Sequence, residues 1–186
     1  AAHDAGARLV PATGGKGMKD RVKLVSRTRA FEGKLLKIDV ETIELAGRGT
    51  TSLETIRHPG AAAVLPFLDE YRVVLVRQYR HAVRDVIVEV PAGKLDGGED
   101  PRTCAARELV EEIGYAAGEL VELGSILTTP GFTDEVIWLY EGHGLEFVGQ
   151  ALESHELIEP FESTLEDAVR RVHAGEIRDA KTVAAI

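Results

Sequence analysis

The sequence predicts a mixed α/β domain preceded by an antiparallel β segment. Three observations predict it. Residues 22–58 alternate β-branched or apolar residues with charged ones. Three short apolar runs follow: Ala61–Phe67, Tyr71–Tyr79 and Val86–Val90. Two segments then carry helix periodicity and end signals, Pro101–Ile113 and Leu165–His173. The resulting order of strands, helix, strands and helix is that of a layered α/β domain.

Residues 1–20 are small, polar and glycine-rich, without periodicity, and are expected to be a disordered arm or a vector-derived remnant, with Met18 a plausible native start. In residues 21–58, Val22, Leu24, Leu36, Ile38 and Val40 lie on alternating positions, and Thr42 and Ile43 follow. Gly33 and the pair Gly47 and Gly49 mark turns, so three antiparallel strands are expected. His58-Pro59-Gly60 breaks the pattern, and residues 59–186 form the second expected domain. There, Leu68-Asp69-Glu70 joins two apolar strands, and Pro91-Ala92-Gly93 ends a third. The first helix has Asp100 as N-cap, Pro101 in its first turn and Gly114 beyond its end. Glu119–Leu127 and Glu135–Tyr140 read as strands, Ser163 or Thr164 caps the helix at 165–173, and a third helix is expected over Asp179–Ile186.

With 186 residues and 44% hydrophobic residues, the chain can bury a core. No apolar run approaches the ~20 residues of a membrane helix. Acidic residues outnumber basic ones 31 to 22, for a net charge of -9. That balance argues against phosphate-driven nucleic-acid binding and leaves room for carboxylates that collect divalent cations. A single cysteine, Cys104, cannot make an internal disulfide. The start lacks the apolar core of a secretory leader, so a cytoplasmic setting is expected.

The chemistry concentrates on the first helix. At about 100° per residue, Ala105, Leu109 and Ile113 share one arc. Glu108, Glu111 and Glu112 crowd the opposite arc, at spacings i, i+3 and i+4. The reading places them on an exposed helix face, either as a solvated surface with Arg107 paired to Glu111 or as ligands of a hard cation such as Mg²⁺. The preceding loop, Gly93-Lys94-Leu95-Asp96-Gly97-Gly98-Glu99, lets backbone approach a charged ligand, and Glu99 can fold back toward Arg107.

Together these residues resemble the Nudix box, G-x5-E-x7-R-E-U-x-E-E-x-G-U with U apolar. Gly93, Glu99, Arg107-Glu108, Leu109, Glu111-Glu112, Gly114 and Tyr115 match it position by position. The resemblance implies the Nudix fold, an α/β/α sandwich around a mixed sheet, and hydrolysis of a nucleoside diphosphate linked to another moiety. It also implies metal binding by Glu108 and Glu112, then Glu111, with Glu99 and the Ala92 carbonyl completing the site. Two or more Mg²⁺ or Mn²⁺ ions are expected, and Arg107 orients the glutamates.

Outside the box, Arg77-Gln78-Tyr79-Arg80, Glu89-Val90-Pro91-Ala92-Gly93, Pro130–Glu135 and Gly175–Thr182 resemble the ADP-ribose pyrophosphatase branch. That branch implies cleavage of ADP-ribose to AMP and ribose 5-phosphate. The alternatives are another nucleoside diphosphate sugar such as GDP-mannose, or a Nudix domain that senses a nucleotide without cleaving it. Arg77 and Arg80 can each bind a diphosphate bidentately or simply end a strand in solvent. Glu89, charged within a buried strand, must meet an arginine or a polar substrate group. Phe132 anchors a turn or lies beside substrate. A late-loop glutamate acts as general base in this branch; Glu156 fits best, with Glu153 second. In the family this chain resembles, such a β segment exchanges between two subunits, so the resemblance implies a homodimer in which each substrate pocket draws on both chains.

Overall fold

The computed structural model describes residues 16–152 and 157–186. Within the stretch expected to be an arm, Lys16–Lys19 form one helical turn, α1. The alternating segment folds as a meander of β1 (Val22–Glu32), β2 (Lys37–Leu45) and β3 (Gly49–Arg57). β1 and β2 run antiparallel, from Val22 opposite Leu45 to Glu32 opposite Lys37. The β2–β3 turn places Gly47 and Gly49 at φ of 76° and 86°, where a side chain would strain the backbone. β1 is exposed along its whole length and leaves Leu24, Val25 and Phe31 facing outward. Asp39 is the buried charge of this unit, held by Arg29 Nε at 2.5 Å.

A second compact unit runs from Arg57 to Ile186. One of its sheets has the order β7-β4-β9-β8: β7 (Ala92–Lys94), β4 (Ala61–Pro66), β9 (Val136–Phe147) and β8 (Tyr115–Leu127). β4 and β9 are parallel and the other pairs antiparallel, so this sheet is mixed. The other sheet is antiparallel, with the order β10 (Ile158–Thr164), β5 (Arg72–Arg80), β6 (Asp85–Glu89).

The period of two along β4 and β5 divides the core into two layers. Ala61, Ala63, Leu65, Val73 and Leu75 pack with Ala168 of α3 (Leu165–His173), Ile177, and Ala185 of α4 (Ala180–Ala185). Ala62, Val64, Val74 and Val76 pack with Cys104 and Ala105 of α2 (Pro101–Glu108) and with Leu109. Strands covered by helices on both faces make the α/β/α sandwich.

Strand ends and short strands depart from the sequence reading. β8 starts at Tyr115, directly after Gly114, because pairing of Tyr115–Ala117 with Leu145–Phe147 overrides the weak strand propensity of its alanines. β7 occupies the residues read as a break, and β10 had no strand pattern of its own. β10 is an edge strand, the place in a sheet where a proline such as Pro160 is tolerated. Among the described residues no helix is long and apolar enough to cross a membrane.

Candidate active site

The crossover from β6 to β7 and the C-terminal half of the box helix meet at one place. α2 begins after Asp100, whose carbonyl accepts from Cys104 N–H, with Pro101 in the first turn. The Asp100 side chain makes no capping bond. From Leu109 to Ile113 the helix widens into a π turn, closed by Gly114 at φ 76°. Such a turn inserts an extra residue and re-aims the side chains it carries. Its last carbonyls are taken up by a later segment: Gln150 Nε2 donates to Glu112 O at 2.5 Å and Ala151 N–H to Glu111 O at 3.1 Å.

The carboxylate face, expected to be exposed, is largely covered, with Glu111 its partly exposed member. Glu108 and Glu112 are only 7% and 3% exposed. The reason is the backbone of β7. Ala92 N–H donates to Glu112 Oε2 at 3.1 Å, and a Cβ on Gly93 would overlap the Glu108 carboxylate. Glycine is therefore required for the approach.

One guanidinium binds three of the glutamates. Arg107 Nε and Nη2 take the two oxygens of Glu99 at 3.1 Å each, while Nη1 reaches Glu108 Oε1 at 2.7 Å and Glu111 Oε2 at 2.8 Å. The Arg107 fork lowers the Glu99 carboxyl from 4.5 to about 2, and Glu99 in turn raises Arg107. Glu99 Oε2 also accepts from Asp96 N–H, which folds the glycine-rich loop back onto the helix. Among the described residues no three His, Cys, Asp or Glu side chains are gathered as a ready metal cluster; the cation among Glu99, Glu108 and Glu111 is Arg107. Glu108, Glu111 and Glu112 carry only oxygen donors, the type a hard divalent ion prefers, but as placed here they are not gathered about one point.

Beside this cluster lies a second ionic group. Glu89 is 1% exposed and accepts from Arg80 Nε at 2.6 Å and Nη2 at 2.8 Å. Lys181 Nζ also bonds Glu89 Oε2, and it bonds Asp179 Oδ2 at 3.0 Å. Burial by itself would raise the Glu89 carboxyl; the Arg80 fork and the Lys181 charge outweigh it and hold Glu89 below the ordinary carboxylate range. Glu89 stabilises the charge on Arg80, and Glu112 adds to it.

Arg77 and Arg80 do not act as a pair. They are three positions apart on one strand and so face opposite ways. Arg77 stacks 4.0 Å from the Phe161 ring centroid and reaches Glu159 at 3.4 Å. Phe132 is half exposed on a turn closed by its N–H to Thr129 O, and Asp134 of the same loop holds Arg57 and His58 N–H. Glu153 and Glu156 lie outside the described residues. The Cys104 thiol is fully buried; that burial, then the Glu108 charge, pushes it up to about 12, where it stays protonated.

Asp179, Lys181 and Thr182 received no role from the sequence. One clue was there: a lysine in the first turn of a helix opposes the dipole, so it calls for a carboxylate partner.

Residues 57–156 match the model of the NUDIX domain. Over 166 residues the chain is 40% identical to an ADP-ribose pyrophosphatase of Bacillus subtilis (strain 168), covering 88% of this chain and 90% of that one. It is 42% identical, with the same coverage, to a methanol dehydrogenase activator of Bacillus methanolicus. The fold matches a solved structure described as an ADP compounds hydrolase, with a TM-score of 0.78 at 18% identity, over 89% of this chain and 90% of that one.

Proposed function

The chain belongs to the Nudix hydrolase family, and from that premise we propose that it hydrolyses ADP-ribose to AMP and ribose 5-phosphate. The observation that carries this reading is a complete box, Gly93 to Tyr115, in a chain 40% identical to the Bacillus subtilis pyrophosphatase over nearly its whole length.

Water adds to one phosphorus, the anhydride P–O bond breaks, and the two monophosphates share the atoms of that water. Nudix hydrolases generally use divalent metals such as Mg²⁺; here Glu108, Glu112 and Glu111, with Glu99 and the Ala92 carbonyl, would hold two or more Mg²⁺ or Mn²⁺ ions. When bound, such ions neutralise the diphosphate and lower the pKa of water. Arg107 keeps the glutamates in register and Arg80, fixed by Glu89, binds the diphosphate. Phe132 borders the nucleotide. Glu156, with Glu153 second, takes the proton from water; Ala151, two residues before Glu153, is bonded to the Glu111 carbonyl. The exposed apolar residues of β1 support a twofold homodimer built by the β1–β3 unit; of the two arginines expected to serve the partner's pocket, Arg77 is left for that role, since Arg80 is held beside Glu112 of its own chain. The proposed setting is the cytoplasm.

AMP release from ADP-ribose, followed by chromatography with and without Mg²⁺, tests the reaction. GDP-mannose run in parallel tests the sugar. Metal-dependent AMP release supports the reading; binding of ADP-ribose without turnover would replace it with a sensor. Sedimentation at micromolar concentration tests the dimer, and a 20 kDa species that still cleaves ADP-ribose would refute it. The Bacillus methanolicus relative supports a second reading, action on a dehydrogenase, tested by assaying methanol dehydrogenase with and without the chain.

A further inference from the structure

The crossover that carries Ala92 and Gly93 is tied down at each residue. Glu89 bonds Arg80 and Lys181; Val90 N–H donates to Thr182 Oγ1 at 2.9 Å; Pro91 O accepts from Val64 N–H at 2.9 Å; Ala92 N–H donates to Glu112. Two of these ties come from one turn of α4, whose start is itself pinned. Asp179 Oδ2 accepts from Thr182 N–H at 3.0 Å, from Thr182 Oγ1 at 2.6 Å and from Lys181 Nζ.

Lys181 is 8% exposed and Thr182 is fully buried. A buried ammonium costs solvation that packing alone does not return, so its placement asks for a reason. The reason lies in its partner. Glu89 has two oxygens, and Arg80 uses both. With Arg80 alone, the carboxylate could turn together with the guanidinium and the pair could swing as a unit. Lys181 bonds the same Oε2, which ties Glu89 to α4 as well and ends that freedom. The Arg80 fork spends two of its five N–H donors on Glu89. The others remain for a ligand, on a side chain that is 41% exposed and within electrostatic reach of Glu112.

We propose that Lys181 is a positioning residue: by clamping Glu89 it holds the Arg80 guanidinium in the orientation that binds the substrate diphosphate. The assignment rests on the hydrolase reading above. Lys181 acts through Glu89 and touches no reacting atom. Its loss should weaken ground-state binding more than chemistry.

A double-mutant cycle on the full chain tests this, using Lys181→Met, Arg80→Ala and the double variant. The readouts are kcat and KM for ADP-ribose, and calorimetric binding of the non-cleavable α,β-methylene analogue. Lys181→Met should raise KM and analogue Kd about tenfold while kcat changes less than threefold. Once Arg80 is Ala, it should have no further effect. Lys181→Arg, which can still clamp Glu89, should restore most of the binding. Additive losses of affinity in the double variant would overturn the proposal, since Lys181 would then act independently of Arg80. An unchanged KM with a lowered melting temperature would also overturn it, because the lysine would then serve the fold alone. Should Lys181→Met not fold, Lys181→Gln, which keeps a donor, runs the same cycle. A parental chain that neither cleaves ADP-ribose nor binds the analogue would remove the hydrolase reading itself, an outcome distinct from additivity in an active parent.

Discussion

Gly93→Ala isolates the contact between β7 and the carboxylate helix. Gly93 carries no positive φ, so alanine fits the backbone and even gains some 0.4–1 kcal/mol by restricting the unfolded chain. The conflict is with a side chain. Glu108 Oε1 would lie 1.7 Å from the new Cβ and Oε2 2.6 Å, against 3.4 Å for ordinary contact. The carboxylate must therefore withdraw by about 1.7 Å, and it can, being the flexible end of the Glu108 side chain. That movement stretches the 2.7 Å bond to Arg107, a charged bond worth about 1.5–3 kcal/mol. Arg107 keeps Glu99 and Glu111, which softens the loss. The net destabilisation should be about 1 kcal/mol, a drop of roughly 2–4 °C in Tm for a chain of this size. Turnover should suffer far more: a displacement of about 1 Å in a group that positions the reaction costs on the order of 100-fold. Initial rates of AMP release and a melting curve measure both. Gly97→Ala, where a Cβ meets nothing within 4 Å, is the control: turnover should be unchanged, and Tm should rise by no more than about 4 °C. Near-parental turnover in Gly93→Ala would refute the reasoning, as would loss of the fold.

Glu112→Gln should cut kcat at least 100-fold, by loss of a negative oxygen, while the amide oxygen still accepts from Ala92 N–H; circular dichroism should show a Tm change no larger than about 4 °C. Glu89→Gln should cost about 2 kcal/mol near neutral pH, read from urea midpoints, because Arg80 and Lys181 lose their shared anion. The sign of its pH dependence follows from the depressed carboxyl of Glu89. That contribution is complete above the ordinary value of 4.5 and fades as pH falls through the lower folded value, so parent and variant should converge only in acid. A gap that instead widens below pH 4.5 would contradict the ion-pair assignment. Cys104 should resist a thiol reagent at about pH 8 in the native chain and react fully in denaturant, since it is buried and protonated; fast native labelling would exclude the packing described for α2.

The local sequence carried what local physics decides. Pro101 and Gly114 bracket the box helix, Thr164 caps α3 by accepting from Asp167 N–H, and the 22–58 alternation became a meander. What it could not carry were effects made by distant backbone. Glu108 and Glu112 look like surface residues on a helical wheel, because burial by Ala92 and Gly93 comes from another element. The π turn breaks the wheel itself from Leu109 onward. β10 forms because β5 offers an edge, not because Ile158–Thr164 alternates. Arg77 and Arg80 read as neighbours along the chain, yet the pleat separates them. Lys181 lies 92 residues from Glu89, and no local pattern joins them.

Arg107 gives the site a resident counter-ion. Three glutamates at helical spacing would repel one another by a few tenths of a kcal/mol per pair, and in many metal sites that repulsion makes the fold hostage to its ion. Here the positive charge is built into the helix, so the protein should fold and persist through periods of metal scarcity. A divalent ion held as proposed would have to compete with a guanidinium already bonded to Glu108 and Glu111, which would cap its affinity. Occupancy would then track the free concentration of the ion. The hydrolase would idle, intact, when divalent ions run short.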